Sequence, residues 1–97
     1  MNRQAVLDRL SAEASVLRGQ FGVADLAVFG SVARDEAGEG SDLDLLVRFE
    51  GKADFDRFMG LKLYLEDLFG RPIDLVTPNA RRPELRSGIE REAIHVP

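Results

Sequence analysis

Asp42 and Asp44 are separated by a single leucine. On a strand, residues two apart share a face and lie ~6.5–7 Å apart at Cα. Two carboxylates so placed repel each other unless a cation sits between them. Oxygen-only donors suit a hard ion such as Mg²⁺, which takes one or two protein carboxylates and completes its shell with water and phosphate oxygens. A third acid, Asp74, interrupts the apolar run Ile73-Asp74-Leu75-Val76. Burying it is costly unless it is paired or metal-bound. The plainer alternative is an aspartate at a strand mouth, bonded to nearby backbone. Upstream stands Gly30-Ser31, with ten residues between Ser31 and Asp42. Glycine lets a backbone approach closely, and the free N–H groups of a helix start attract phosphate. Ser31 adds a hydroxyl, and Arg34, three residues on, can reach a phosphate with its fork. A lone Gly-Ser is usually a turn. Followed at this distance by Ser41-Asp42-Leu43-Asp44, it reads as one metal and phosphate constellation.

The elements that must position these residues follow from periodicity. From about residue 2 to about residue 20, Val6, Leu7, Leu10, Ala14 and Leu17 recur at helical spacing. Asn2 is the expected N-cap, and Gly19 or Gly22 the stop. Val23 to Phe29 is a short apolar strand, cut off by Gly30-Ser31. Ser31 is expected to cap a short helix through Val32 to Ala37. Gly38 to Ser41 is a turn, and Asp42 to Phe49 a second strand. Asp54 caps a long helix whose expected apolar stripe is Phe55, Phe58, Leu61, Leu65, Leu68 and Phe69, closed by Gly70. Met59 and Tyr64 read as packing residues. Pro72 to Thr77 is a third strand, a last helix is expected from about Pro83 to Ala93, and Ile94 to Pro97 is a short extended tail.

This order is α/β in a single domain, residues 1–97, with one small mixed sheet of three strands in the order 1-2-3 and about four helices. The short link between the first two strands favours antiparallel pairing. That pairing brings Gly30-Ser31 beside Asp42 and Asp44. The long helix lets the third strand run parallel to the second by a right-handed crossover. Asp74 then falls at the same sheet edge.

Composition narrows the function. The chain has 97 residues, 44% hydrophobic and 31% charged, the profile of one globular domain with a radius of gyration of roughly 13 Å. It has no cysteine, which excludes disulfides and thiolate zinc and fits a reducing cytoplasm. No apolar run approaches the ~20 residues that span a bilayer. The net charge of −4 gives no general affinity for nucleic acid. Residues 81–91 depart from that balance, with Arg81, Arg82, Arg86 and Arg91 against Glu84 and Glu90. They read as a solvated helix face or a phosphate or partner contact.

At Phe29-Gly30-Ser31, Ser41-Asp42-Leu43-Asp44-Leu45 and Ile73-Asp74-Leu75, the chain resembles the DNA polymerase β-like nucleotidyltransferase superfamily. The string Gly30-Ser31-Val32-Ala33-Arg34-Asp35-Glu36 is similar to its minimal branch, with Asp35 where glycine is usual. The resemblance covers nearly the whole chain. It implies two Mg²⁺ ions held by Asp42, Asp44 and Asp74, with Asp74 also helping to deprotonate the attacking hydroxyl. It implies that Gly30 and Ser31 hold the triphosphate of an NTP; Arg34 and Ser41 are further candidates for binding the nucleotide. The reaction implied is in-line attack on the α-phosphorus with loss of pyrophosphate. Members of this branch act as antitoxins beside HEPN-domain toxins, and transfer AMP from ATP to a toxin tyrosine.

Two other readings compete with this one. A phosphatase of the haloacid dehalogenase type also uses Asp-x-Asp, but there the acids follow an apolar strand, whereas here the apolar residues come after them. A non-catalytic antitoxin would neutralise its partner by contact alone; the presence of all three acids argues against a decayed site. His95, the only histidine, sits in an apolar tail and reads as a packed or exposed tail residue. Arg48 and Lys62 are open candidates for facing the nucleotide. The long apolar helix and small sheet leave a surface for a partner or a homo-oligomer.

Overall fold

The computed structural model describes residues 2–34, 42–52, 54–77 and 93–96. Asn2 caps the first helix, α1 (Arg3–Ala12), by accepting from the Ala5 N–H at 2.7 Å. The expected single N-terminal helix is in fact two. It breaks at Glu13, and α2 (Ala14–Phe21) follows, closed by Gly22 in the left-handed region at φ 67°. Glu13 belongs to neither helix, and its carboxylate accepts from the Tyr64 hydroxyl at 2.7 Å, a tie that local periodicity cannot register. Gly22, rather than Gly19, is the stop, because the left-handed turn needs a residue without Cβ.

The first strand, β1 (Val23–Phe29), runs directly into α3 (Gly30–Ala33). The next elements are β2 (Leu43–Phe49), α4 (Phe55–Phe69), β3 (Ile73–Val76) and β4 (Ile94–His95). Asp54 caps α4 by accepting from the Arg57 N–H at 2.7 Å, and Gly70 ends it at φ 64°. The helix expected from Pro83 lies outside the described residues over 83–92, and Ala93, its expected end, is not helical.

The sheet has four strands in the order β3-β2-β1-β4, not three in the order 1-2-3. The first three strands pair as the loop lengths predict, β1 with β2 antiparallel and β2 with β3 parallel. The correction is at the tail. Ile94 and His95 pair antiparallel with Val28 and Ala27, and the Val96 N–H donates to the Leu26 carbonyl at 2.8 Å. The tail thereby covers the otherwise open ladder groups of β1. A two-residue strand is too short to show a period of two.

The core lies on one face of the sheet. Leu26 and Val28 of β1, Leu43, Leu45 and Val47 of β2, and Ile73 and Leu75 of β3 are buried together with Val6, Leu10, Leu17, Leu61 and Leu65 of the helices. Strand alternation therefore turns Asp44 and Asp74 to the other face. Phe55 corrects the expected stripe of α4. It is 75% exposed, because at 100° per residue it falls well off the arc of Leu61, Leu65 and Leu68. The radius of gyration is 12.5 Å.

Candidate active site

The site is assembled by register. Phe29, Asp44 and Asp74 lie at one level across β1, β2 and β3, since Phe29 pairs with Asp44 and Asp44 with Asp74. The Cα atoms of such parallel neighbours are ~4.8 Å apart. Asp42 precedes β2 by one residue, is exposed, and stands two residues from Asp44. Asp44 is half-buried and Asp74 exposed. Asp44 and Asp74 on adjacent strands, with Asp42 just ahead of β2, thus stand at the end of the sheet where β1 gives way to α3.

Gly30 fits this corner because it has no side chain. Its φ is +72°, and a Cβ there would lie 2.9 Å from Asp44 Cγ and collide with Oδ2 of the same carboxylate. The backbone of residue 30 is consequently packed against an acid, with the short helix starting immediately after it. Ser31 is half-buried within α3. It does not cap the helix as expected: Phe29 is the N-cap, in extended backbone. The helix starts earlier than predicted because left-handed Gly30 makes the bend itself. Arg34 is exposed at the C-cap. Ser41 and residues 35–40 lie outside the described residues, so the turn joining α3 to Asp42 does too.

The electrostatics follow from the crowding. Burial, then the negative charge and hydrogen bond of Asp74, then the charge of Asp42, push the Asp44 carboxyl from 3.8 up to about 6, with Arg34 pulling weakly downward. A carboxyl crowded in this way is one whose ionised form a bound cation would favour. The donors are all oxygen, which fits Mg²⁺. Among the described residues, no three acids already converge at metal-ligand spacing. The fit therefore rests on the Asp44–Asp74 pair, with Asp42 adjacent.

The structure adds one residue that spacing could not reveal. The Arg3 guanidinium donates to the Ala33 carbonyl at 3.1 Å, tying α1 to the last residue of α3. No sequence signal links positions 30 residues apart. His95 is exposed, with Nδ1 2.9 Å from Asp25 Oδ2, away from the level of the acids. Arg48 is exposed and pairs in register with Asp25, whereas Lys62 is engaged by Glu66 at 2.9 Å. Neither is brought to the acids. A small hollow lined in part by Leu10, Leu17, Leu26 and Val96 lies on the core side, between α1, α2 and β1. The chemistry is on the opposite face.

A mixed sheet with a glycine-serine helix at the end of β1, facing an acid-apolar-acid strand, defines the nucleotidyltransferase class. The comparisons agree. The family model described as "Nucleotidyltransferase domain" matches residues 8–96, and the chain belongs to that family. Protein adenylyltransferase MntA of Thermococcus cleftensis is 40% identical over 87 residues, 90% of this chain and 88% of that one. A Methanocaldococcus jannaschii protein, described as a candidate protein adenylyltransferase, is 38% identical over 92 residues, 94% of each chain. A solved structure described as a candidate minimal nucleotidyltransferase superposes with a TM-score of 0.83 at 42% identity, over 97% of this chain and 95% of that one. A toxin–antitoxin structure with AMP-PNP shares the fold at a TM-score of 0.73 and 17% identity, over 89% of this chain and 71% of that chain. By class the chain is an enzyme, a minimal nucleotidyltransferase similar to the protein adenylyltransferases. No helix among the described residues is long and apolar enough to cross a membrane.

Proposed function

We propose that this chain moves AMP from ATP to a hydroxyl of a partner protein, a tyrosine of a HEPN-type toxin, and thereby acts as a cytoplasmic antitoxin. The observation that carries the reading is the packing of the Gly30 backbone against Asp44, with Asp74 at the same level. It joins a phosphate-approach point to paired carboxylates, which nucleotidyl transfer needs and which a fold alone does not supply. The names of the similar adenylyltransferases support the choice of adenylyl group and protein acceptor.

In this reading Asp42, Asp44 and Asp74 hold Mg²⁺. The backbone at Gly30, the Ser31 hydroxyl and the Arg34 fork bind and orient the triphosphate, with Ser41 at the adjoining turn. Bound metal would supply charge neutralisation at the phosphates and at the leaving pyrophosphate. Asp74 accepts the proton of the attacking hydroxyl. The acceptor oxygen bonds to the α-phosphorus, the bond from that phosphorus to the β-bridging oxygen breaks, and pyrophosphate leaves. Holding the reactants in line accounts for much of the acceleration.

The test uses ATP labelled in the α-phosphate, Mg²⁺ and the purified toxin partner. Label is expected on the toxin, together with loss of its activity, and neither is expected with Asp42→Asn or Asp44→Asn. Neutralisation that persists in both variants with no label transferred would sink the enzyme reading and leave masking by contact.

A further inference from the structure

Two large hydrophobic side chains stand out as exposed among the described residues: Phe55 at 75% and Leu63 at 58%. Both are on α4. With half-buried Met59 they occupy positions i, i+4 and i+8, so they form one ridge along the outer side of that helix. The core contacts of α4, through Leu61 and Leu65, use the opposite side. The ridge is therefore not an edge of the core.

Its two borders differ in charge. On one, Lys62 and Glu66 neutralise each other at 2.9 Å, and Glu66 also accepts from the Ile73 N–H at 3.2 Å. On the other, Asp56 and Asp67 are both exposed, and neither has an ion-pair partner among the described residues. Helical geometry sets both within about 40° of Leu63 around the axis. Among the described residues the surface is thus an apolar ridge with one acidic border that no cation pairs. Two-fold antiparallel packing of the ridge on itself about Met59 would set Asp56 opposite Lys62 of the second copy and leave Asp67 beyond the paired helices, so a second copy answers only part of the acidic border.

We propose that Phe55, Met59 and Leu63 are the docking ridge for a helix of a partner protein, one whose own apolar stripe is bordered by Lys or Arg facing Asp56 and Asp67. The ridge lies on the helix side of the sheet, whereas Asp44 and Asp74 project from the other face. Docking here leaves the acids free, so a partner gripped by α4 can present a hydroxyl to the site, or a second subunit of the partner can. The choice of toxin as the probe rests on the function proposed above.

The test measures binding of the purified toxin by calorimetry at low and high salt, with wild type, with Phe55→Ser/Leu63→Ser and with Asp56→Lys/Asp67→Lys. The apolar double variant is expected to weaken the complex by about 30-fold or more, as loss of a buried interface anchor does. The charge-reversed variant is expected to bind less tightly and to lose the salt dependence seen with wild type. At saturating toxin, both should label it with unchanged kcat and a raised KM for the toxin. Wild-type affinity in both variants overturns the proposal. So does a change confined to self-association in sedimentation, which would assign the ridge to a second copy. Wild type that neither binds nor labels the toxin overturns the functional reading as well, so the two failures are told apart.

Discussion

The Asp44 carboxylate stands where a side chain at position 30 would begin. Gly30 is required there twice over, by its φ of +72° and by the absence of room for a Cβ. Gly30→Ala is expected to cost about 1–3 kcal/mol, the scale of a non-glycine residue forced into the left-handed region with a clash added. Urea unfolding checks the value. Truncating the obstacle, in Gly30→Ala/Asp44→Ala, should recover the steric part and leave the backbone part. The two changes must therefore couple, and additive losses would mean that the contact is not what fixes position 30.

Asp44 also ties stability to pH. Its folded carboxyl titrates near 6, above the ordinary 3.8, so the folded protein holds this proton more tightly than the unfolded chain. The stabilisation is complete below about pH 4 and is lost as pH rises through 6. Without Mg²⁺, wild type should gain stability relative to Asp44→Asn between pH 7 and pH 5, measured by urea midpoints. With Mg²⁺ present the order reverses, because the ion favours the carboxylate; its apparent affinity should rise through pH 6 with release of a proton. A wild-type and Asp44→Asn difference that does not vary with pH would contradict the raised value.

The sequence made the site legible because its chemistry is local. Gly30-Ser31 and Asp42-Leu43-Asp44 are contiguous strings, and loop length alone forces the pairing that joins them. Asp74 was legible because a charge in an apolar strand is conspicuous. What escaped depends on partners distant in the chain. The break at Glu13 coincides with a bond to Tyr64, 51 residues away. The β4 strand exists only because β1 offers it an open edge. Phe55 reads as a core residue because an aromatic at the first turn of a helix looks apolar in any window, and only the arc of its neighbours shows that it faces outward.

Removing a carboxylate tests the metal reading directly. Asp42→Asn and Asp44→Asn should each lower labelling on the order of 10²-fold or more, the scale of losing a preorganised charge-stabilising group. Chelation of Mg²⁺ by EDTA should do the same to wild type, and added Mg²⁺ should restore it. Arg34→Lys should be milder and should raise KM for ATP more than it lowers kcat, since a point charge replaces a fork. Labelling unaffected by chelation would exclude the metal role of these acids.

Tyr64 links the two ends of the helical layer. Its hydroxyl donates to Glu13 at 2.7 Å, and its ring lies 5.2 Å from that of Phe21. The bond, with burial, raises the Tyr64 pKa above its ordinary 10. Tyr64→Phe keeps the ring contact and deletes the bond, so it should cost about 1 kcal/mol. Glu13→Gln can still accept from the hydroxyl and should cost less, whereas Glu13→Ala should match Tyr64→Phe without adding to it. Since Glu13 marks the junction of α1 and α2, and Arg3 of α1 holds the end of α3, loosening this bond offers a route from the helical layer to the Gly30–Ser31 corner. Adenylyl transfer in Tyr64→Phe should therefore show a modest rise in KM for ATP at unchanged kcat. An unchanged KM with the full loss of stability would confine Tyr64 to packing.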